Sequence, residues 1–184
     1  KNAFDPDGIM NPGKIVDPPP MTDNLRYGPT YNTIKTETGF SFSEEGSFAN
    51  AIEMCNGQGA CRKIDGGTMC PSYMVTRDEE HSTRGRANAL RAAMSGALPP
   101  ETLEDQRLYE VMDLCLECKG CKAECPSNVD MAKLKYEFLN QYHKSNGYKL
   151  KNRFFGKISS LSKLGSFFSP ITNWMMNTSL SREV

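Results

Sequence analysis

No stretch of this 184-residue chain stays apolar for the roughly 18 residues that a membrane-spanning helix needs. Its start, KNAFDPDGIM, has no basic segment leading into an apolar run, so no secretory signal is read there. The chain reads as soluble and cytoplasmic. It begins at Lys1 and stops in mid-pattern at Arg182-Glu183-Val184, which suggests a piece of a longer protein. Net charge is also absent: 22 Lys and Arg balance 22 Asp and Glu, so nothing global attracts nucleic acid or a lipid surface. Apolar material is thin, at 38% hydrophobic and 9% aromatic with one tryptophan. A large core sustained by hydrophobic burial alone is not expected. Histidine occurs only twice, as His81 and His143, which leaves a histidine-ligated Rieske centre with little support.

The first and last thirds lack cysteine, and all seven cysteines lie between Cys55 and Cys125. An odd number without a secretory signal argues against a disulfide framework and for metal or redox chemistry. Cys115-x2-Cys118-x2-Cys121-x3-Cys125-Pro126 packs three thiols into seven residues. That spacing suits a compact iron–sulfur cube whose irons each take one sulfur ligand, whereas zinc is usually held by two separated pairs. The fourth cysteine of such a run serves the other cluster of a two-cluster protein. A companion motif is present as Cys55-x5-Cys61-x8-Cys70-Pro71. Crossing the motifs gives Cys70, Cys115, Cys118 and Cys121 to a 4Fe-4S cluster and Cys55, Cys61 and Cys125 to a second. The second is one thiolate short, so a 3Fe-4S cluster and a 4Fe-4S cluster completed by a non-cysteine ligand or water both fit.

The remaining residues organise around that block. Residues 1–42 carry Pro6, Pro12, Pro18, Pro19, Pro20 and Pro29 without helical or strand periodicity, and read as an extended arm draped over another surface. Helical spacing then predicts a short helix through Phe48 and Ile52 delivering Cys55, capped within Ser43-Glu44-Glu45. A second is predicted from Ser82 to Leu98, with Ala87, Leu90, Ala93, Met94 and Ala97 on one face. A third runs through Leu103, Leu108, Val111, Met112 and Cys115. A fourth, through Met131, Leu134, Phe138, Leu139 and Tyr142, is capped by Ser127 or Asn128 and closed near Gly147. An amphipathic stretch, Phe154 to Phe168, reaches Pro170 and continues through Ile171, Trp174 and Met175. No internal repeat is visible by length. Residues 101–130 hold eight acids and three bases, and residues 131–169 eight bases and one acid, which reads as two solvated faces or a docking surface.

Gly57, Gly59, Gly66, Gly67 and Gly120 lie in or beside the cysteine loops, where they let backbone amides approach sulfur or serve ordinary turns. Arg84 and Arg86 are expected in salt bridges with Asp78, Glu79 or Glu80, the alternative being that they raise the potential of a nearby cluster or meet a partner's acids.

The two cysteine motifs together resemble the helical two-cluster ferredoxin domain of the iron–sulfur subunits of succinate dehydrogenase and fumarate reductase, anaerobic glycerol-3-phosphate dehydrogenase, glycolate oxidase and heterodisulfide reductase. In the first two, a Cys-x5-Cys element with a following Cys-Pro leaves three cysteines on a 3Fe-4S cluster; here the motif order is reversed and the spacing to Cys70 is longer. Phe4-Asp5-Pro6-Asp7-Gly8-Ile9-Met10-Asn11-Pro12-Gly13-Lys14 looks like the closing segment of FAD-linked oxidases. Cys55 to Arg91 and Asp113 to His143 are similar to the iron–sulfur portion of single-chain fusions of such an oxidase with a ferredoxin domain, of the D-lactate and D-2-hydroxyglutarate dehydrogenase type.

The resemblance implies an all-α, helical ferredoxin-type two-cluster domain over residues 43–150. Residues 1–42 would end a preceding FAD-linked oxidase domain, and residues 151–184 would form an amphipathic connector onward. It implies electron relay from FAD in a preceding domain, of the same polypeptide or complex, to a downstream acceptor. The chain by itself would not be catalytic. A stand-alone heterodisulfide-reductase-like adaptor subunit is the alternative, with a structural zinc module behind it. No nucleic-acid partner is expected. The connector, with Phe155, Ile158, Leu161, Phe168, Ile171 and Trp174 on one face, is expected to pack on protein rather than on lipid.

Overall fold

A computed structural model describes residues 1–29, 31–96 and 98–176. Ala97 and Arg182-Glu183-Val184 therefore lie outside the described residues, as does the side chain of Met175. Secondary structure among the described residues is entirely helical, as the 3.6-residue periodicities predict. The helices are α1 (Phe48–Glu53), α2 (Pro71–Thr76), α3 (Thr83–Met94), α4 (Gln106–Asp113), α5 (Gly120–Glu124), α6 (Met131–Asn146), α7 (Leu150–Gly156), α8 (Ile158–Phe167) and α9 (Ser169–Met176). Short 3-10 turns at Ala60–Arg62, Glu79–His81 and Pro100–Glu104 connect them.

Local side-chain chemistry sets the starts of these helices. Ser47 accepts from the Asn50 N–H to begin α1, so the cap is not in Ser43-Glu44-Glu45, and the helix ends before Cys55. Ser82 accepts from the Gly85 N–H at 2.9 Å and begins α3, in the way a serine cap satisfies a first-turn donor. The stretch expected as one third helix is two pieces, because Asp105 is extended and caps α4 through the Arg107 N–H at 3.0 Å. α6 is capped by Asp130, which accepts from the Lys133 N–H at 3.0 Å; Asn128 is instead held at φ 54 in the preceding turn.

The chain divides into two units, Lys1–Tyr142 and His143–Val184. In the first, α1 and α4 pack on α3, and Phe48, Ile52, Leu90, Met94, Leu108, Met112, Leu134 and Phe138 share one core with Cys61, Cys70 and Cys121. Each such large apolar side chain contributes about 1.5–3 kcal/mol, so the thiols are embedded in the main folding contacts.

Part of the arm lies on this core. Ile34 N–H donates to Met94 O at 3.0 Å, and Phe42 is buried against Phe48 with Lys133 Nζ 4.3 Å above its ring. Glu137, fully buried on α6, accepts from Gly39 N–H at 2.9 Å and Phe40 N–H at 3.1 Å. Asn140 and Gln141 also donate to it, each at 2.9 Å. Burial pushes the Glu137 carboxyl up, but these four donors outweigh it and hold it below the usual range. In the second unit the tail expected as one amphipathic stretch breaks at Lys157 and Phe168 into α7, α8 and α9. Pro170 sits in the first turn of α9, where its missing N–H costs no helical bond. No helix among the described residues is long and apolar enough to cross a membrane.

Candidate metal centre

The seven thiols are free of disulfides and surround two small cavities in the first unit. Cys70, Cys115, Cys118 and Cys121 line one. Cys55, Cys61 and Cys125 line the other. The two groups are those formed by crossing the sequence motifs. Among the described residues no three His, Cys, Asp or Glu side chains converge as a single ion requires. The thiols instead stand around a space, as ligands to separate irons of one cluster do. Met69 and Thr83, each 2% exposed, line both cavities and form their common wall.

Helix termini bring the thiols in. Cys70 precedes Pro71, which fits the first position of α2. Cys121 lies in α5 and accepts the Met131 N–H, at the start of α6, at 3.4 Å. Cys61 accepts the Arg84 N–H, in the first turn of α3, at 3.3 Å. Burial pushes the thiols of Cys61, Cys115 and Cys121 up, against these favourable contacts. Buried thiols of that kind become thiolates when a metal takes the place of the proton.

Two buried cations, Arg86 and Lys135, lie beside the first cavity, which Glu117 also lines. Arg86 is fully buried. Its guanidinium reaches Cys70 Sγ at 3.6 Å, His81 O at 2.7 Å, Ser72 Oγ at 3.1 Å and Val111 O at 3.0 Å. The expected salt bridge of Arg86 with an acid is thus replaced by a contact with sulfur, because the side chain points inward from α3. Arg84 does pair as expected, with Glu79 at 2.7 Å. Lys135, 6% exposed, binds Cys115 O at 2.8 Å and Glu117 at 2.9 Å. For Arg86 this is the alternative role beside a cluster site; Lys135 does not stand out in the sequence, though a cation inside a predicted apolar helix face is the signal that marks it.

Glu124 joins the two motifs. Its carboxylate accepts from Lys63, from Thr68 Oγ1 at 2.6 Å and from Met69 N–H at 3.3 Å, and Lys63 and Thr68 hold it down to about 2. The loop before Cys70 is so tied to α5. Gly120 eases this close approach, since a Cβ there would lie in tight contact, 3.3 Å from the Thr68 backbone. Gly85 is the glycine that sequence reasoning misses: a Cβ on it would meet Glu79 O at 2.0 Å.

The sequence profile of the 4Fe-4S dicluster domain matches residues 37–129, half of the chain. This chain belongs to that family. It is an iron–sulfur electron-relay domain, and the profile spans both cysteine motifs. Among curated proteins, D-2-hydroxyglutarate dehydrogenase of Pseudomonas putida is 31% identical over 78% of this chain and 17% of its own length. The Escherichia coli protein of the same name is 25% identical over 100% of this chain and 21% of its own. A probable glycolate oxidase iron–sulfur subunit of Bacillus subtilis is 32% identical over 46% of this chain and 18% of its own. The chain thus spans about a fifth of the length of these relatives. No solved structure matches it significantly.

Proposed function

We propose that this dicluster domain carries a 4Fe-4S cluster on Cys70, Cys115, Cys118 and Cys121 and a second cluster on Cys55, Cys61 and Cys125, and relays electrons between them. The observation that carries this reading is the shared wall of Met69 and Thr83. Two clusters separated by one layer of side chains form a short path for single electrons. When bound, the clusters supply one-electron redox chemistry. The chain's own residues supply the rest: thiols as ligands, Met131 and Arg84 N–H groups hydrogen-bonded to sulfur, and Arg86 offsetting buried negative charge.

Such a relay needs a source of electrons. Relatives named D-2-hydroxyglutarate dehydrogenase align over most of this chain, and oxidation of a hydroxy acid releases electrons in pairs. A flavin accepts the pair and passes electrons on singly. The proposed whole is therefore a FAD-linked 2-hydroxy acid dehydrogenase, with residues 1–42 ending its oxidase part, residues 43–150 forming the cluster domain and residues 151–184 leading onward to other domains. A second reading, a separate iron–sulfur subunit, is favoured by the Bacillus subtilis relative's name.

Iron, zinc and acid-labile sulfide analysis of the anaerobically purified full-length protein tests the core of this. Brown protein with iron and sulfide, bleached by a 2-hydroxy acid, is the expected result. A colourless zinc protein would end the proposal, and clusters bleached only after a separate flavoprotein is added would favour the second reading.

A further inference from the structure

The two cysteine loops share one backbone. In the loop from Cys115 to Cys121, Glu117 (φ 56) and Lys119 (φ 60) take positive φ on either side of Cys118. In the loop from Cys55 to Cys61, Gly57 (φ 80) and Gly59 (φ 83) do so on either side of Gln58. Each loop then enters a short helical turn at the next residue, Gly120 or Ala60. Burial repeats as well: Cys115 and Cys55 are half-buried, Cys118 and Gln58 exposed, Cys121 and Cys61 buried. The last cysteine of each loop accepts an N–H from the first turn of a following helix, at 3.4 Å for Cys121 and 3.3 Å for Cys61. Each cavity is completed by a Cys-Pro from the other motif, Cys70-Pro71 or Cys125-Pro126. The repeat covers seven residues, too few to show as a repeat by length.

In this repeat Gln58 occupies the place of Cys118. The remaining heteroatom side chains beside it in the second cavity are weak donors for an iron–sulfur iron. Asn56, Thr83 and Ser127 are neutral, Met69 is an uncharged thioether in the wall shared with the first cavity, Arg84 is a cation, and Asn56 Oδ1 already accepts the Gln58 N–H at 3.1 Å. No Asp, Glu or His among the described residues lines that cavity. Iron in a sulfide cluster prefers soft thiolate over neutral amide or hydroxyl oxygen.

We propose that the second cluster has one corner, at Gln58, without a protein ligand, so that the iron there exchanges with solvent while every iron of the first cluster is fixed by a thiolate. This rests on the two-cluster reading above. The exchange balances: a 4Fe-4S(2+) cluster gives one electron to ferricyanide and one Fe(2+) to solvent, leaving a 3Fe-4S(+) cluster on three thiolates. Dithionite and Fe(2+) restore it.

The test counts iron and records electron paramagnetic resonance on the anaerobically loaded full-length protein, before and after ferricyanide. Wild type is expected to lose one iron per chain and to gain the signal of an oxidised three-iron cluster, reversibly. Gln58→Cys should abolish both the loss and the signal, and Gln58→Ala should behave as wild type. Cys118→Gln should lose a second iron, from the other cluster, which keeps the inference testable if Gln58→Cys does not fold. Full retention of iron by oxidised wild type would overturn the inference, and so would loss of the whole second cluster in Gln58→Ala, since the amide would then be a ligand. Those outcomes leave two clusters standing. A protein without iron and sulfide overturns the two-cluster reading and this inference with it.

Discussion

The two cavities differ most in how charge is balanced around them. The first has a fully buried guanidinium, Arg86, against Cys70, with no acid beside it among its hydrogen-bond partners, and a nearly buried ammonium, Lys135, behind Cys115 and paired with Glu117. The second has Arg84 at its rim, partly exposed and paired with Glu79. A buried cation acts through a low dielectric, whereas an exposed pair is screened by water. The same thiol chemistry is therefore set in two electrostatic environments, and the first cluster is expected to accept an electron at the higher potential.

Removing the clusters breaks the comparison most completely. Chelation of all iron under reducing conditions should unfold α2 to α6 together, because ligation energy is folding energy in small metal domains, and helical circular dichroism would record it. Single thiol changes divide the effect. Cys70→Ser should damage the same cluster as Cys118→Ser, and Cys55→Ser the other, as read by electron paramagnetic resonance. A spectrum in which Cys70→Ser and Cys55→Ser perturb one common cluster would refute the crossed assignment.

Arg86→Gln comes next. It strips a buried charge of its partner, at about 3–5 kcal/mol, and should lower the potential of the first cluster alone in a redox titration. Arg84→Gln sharpens the contrast, since an exposed pair is worth about 0–1 kcal/mol. Between them lies Gly85→Ala, where the clash with Glu79 O should cost about 1–3 kcal/mol by overpacking, measurable as a lower denaturant midpoint.

A further effect lies remote from both cavities. Glu137→Gln should release residues 39–40 of the arm for about 1.5–3 kcal/mol, with both cluster spectra unchanged. Its native carboxyl is held below the usual range. The ionised form therefore contributes fully above about pH 4.3, and that stability falls away as the pH drops through the lower native value. Glu137→Gln should remove this part of the acid dependence in unfolding titrations.

Much of this was legible in the sequence because thiol spacing and helical period are local. Cys115-x2-Cys118-x2-Cys121 and the Leu90–Met94 face need no tertiary information. The caps were harder, since Ser43, Ser47, Ser127, Asn128 and Asp130 all have suitable side chains, and backbone geometry selects among them. Salt bridges rank first for Arg86 in the sequence for a related reason: its acidic neighbours at 78–80 suggest surface pairs, and only the direction of α3 turns it inward. Glu124 was invisible because its partners, Lys63 and Thr68, are 61 and 56 positions away.

Under the proposed ligation, the crossed motifs also make the chain a pair of nested rings. One cluster closes the segment from Cys70 to Cys115 and the other encloses it from Cys61 to Cys125. A protease cutting at the exposed Pro99-Pro100 stretch would sever the backbone without separating the pieces. The halves would travel together through gel filtration while iron remained, and part when a chelator removed it.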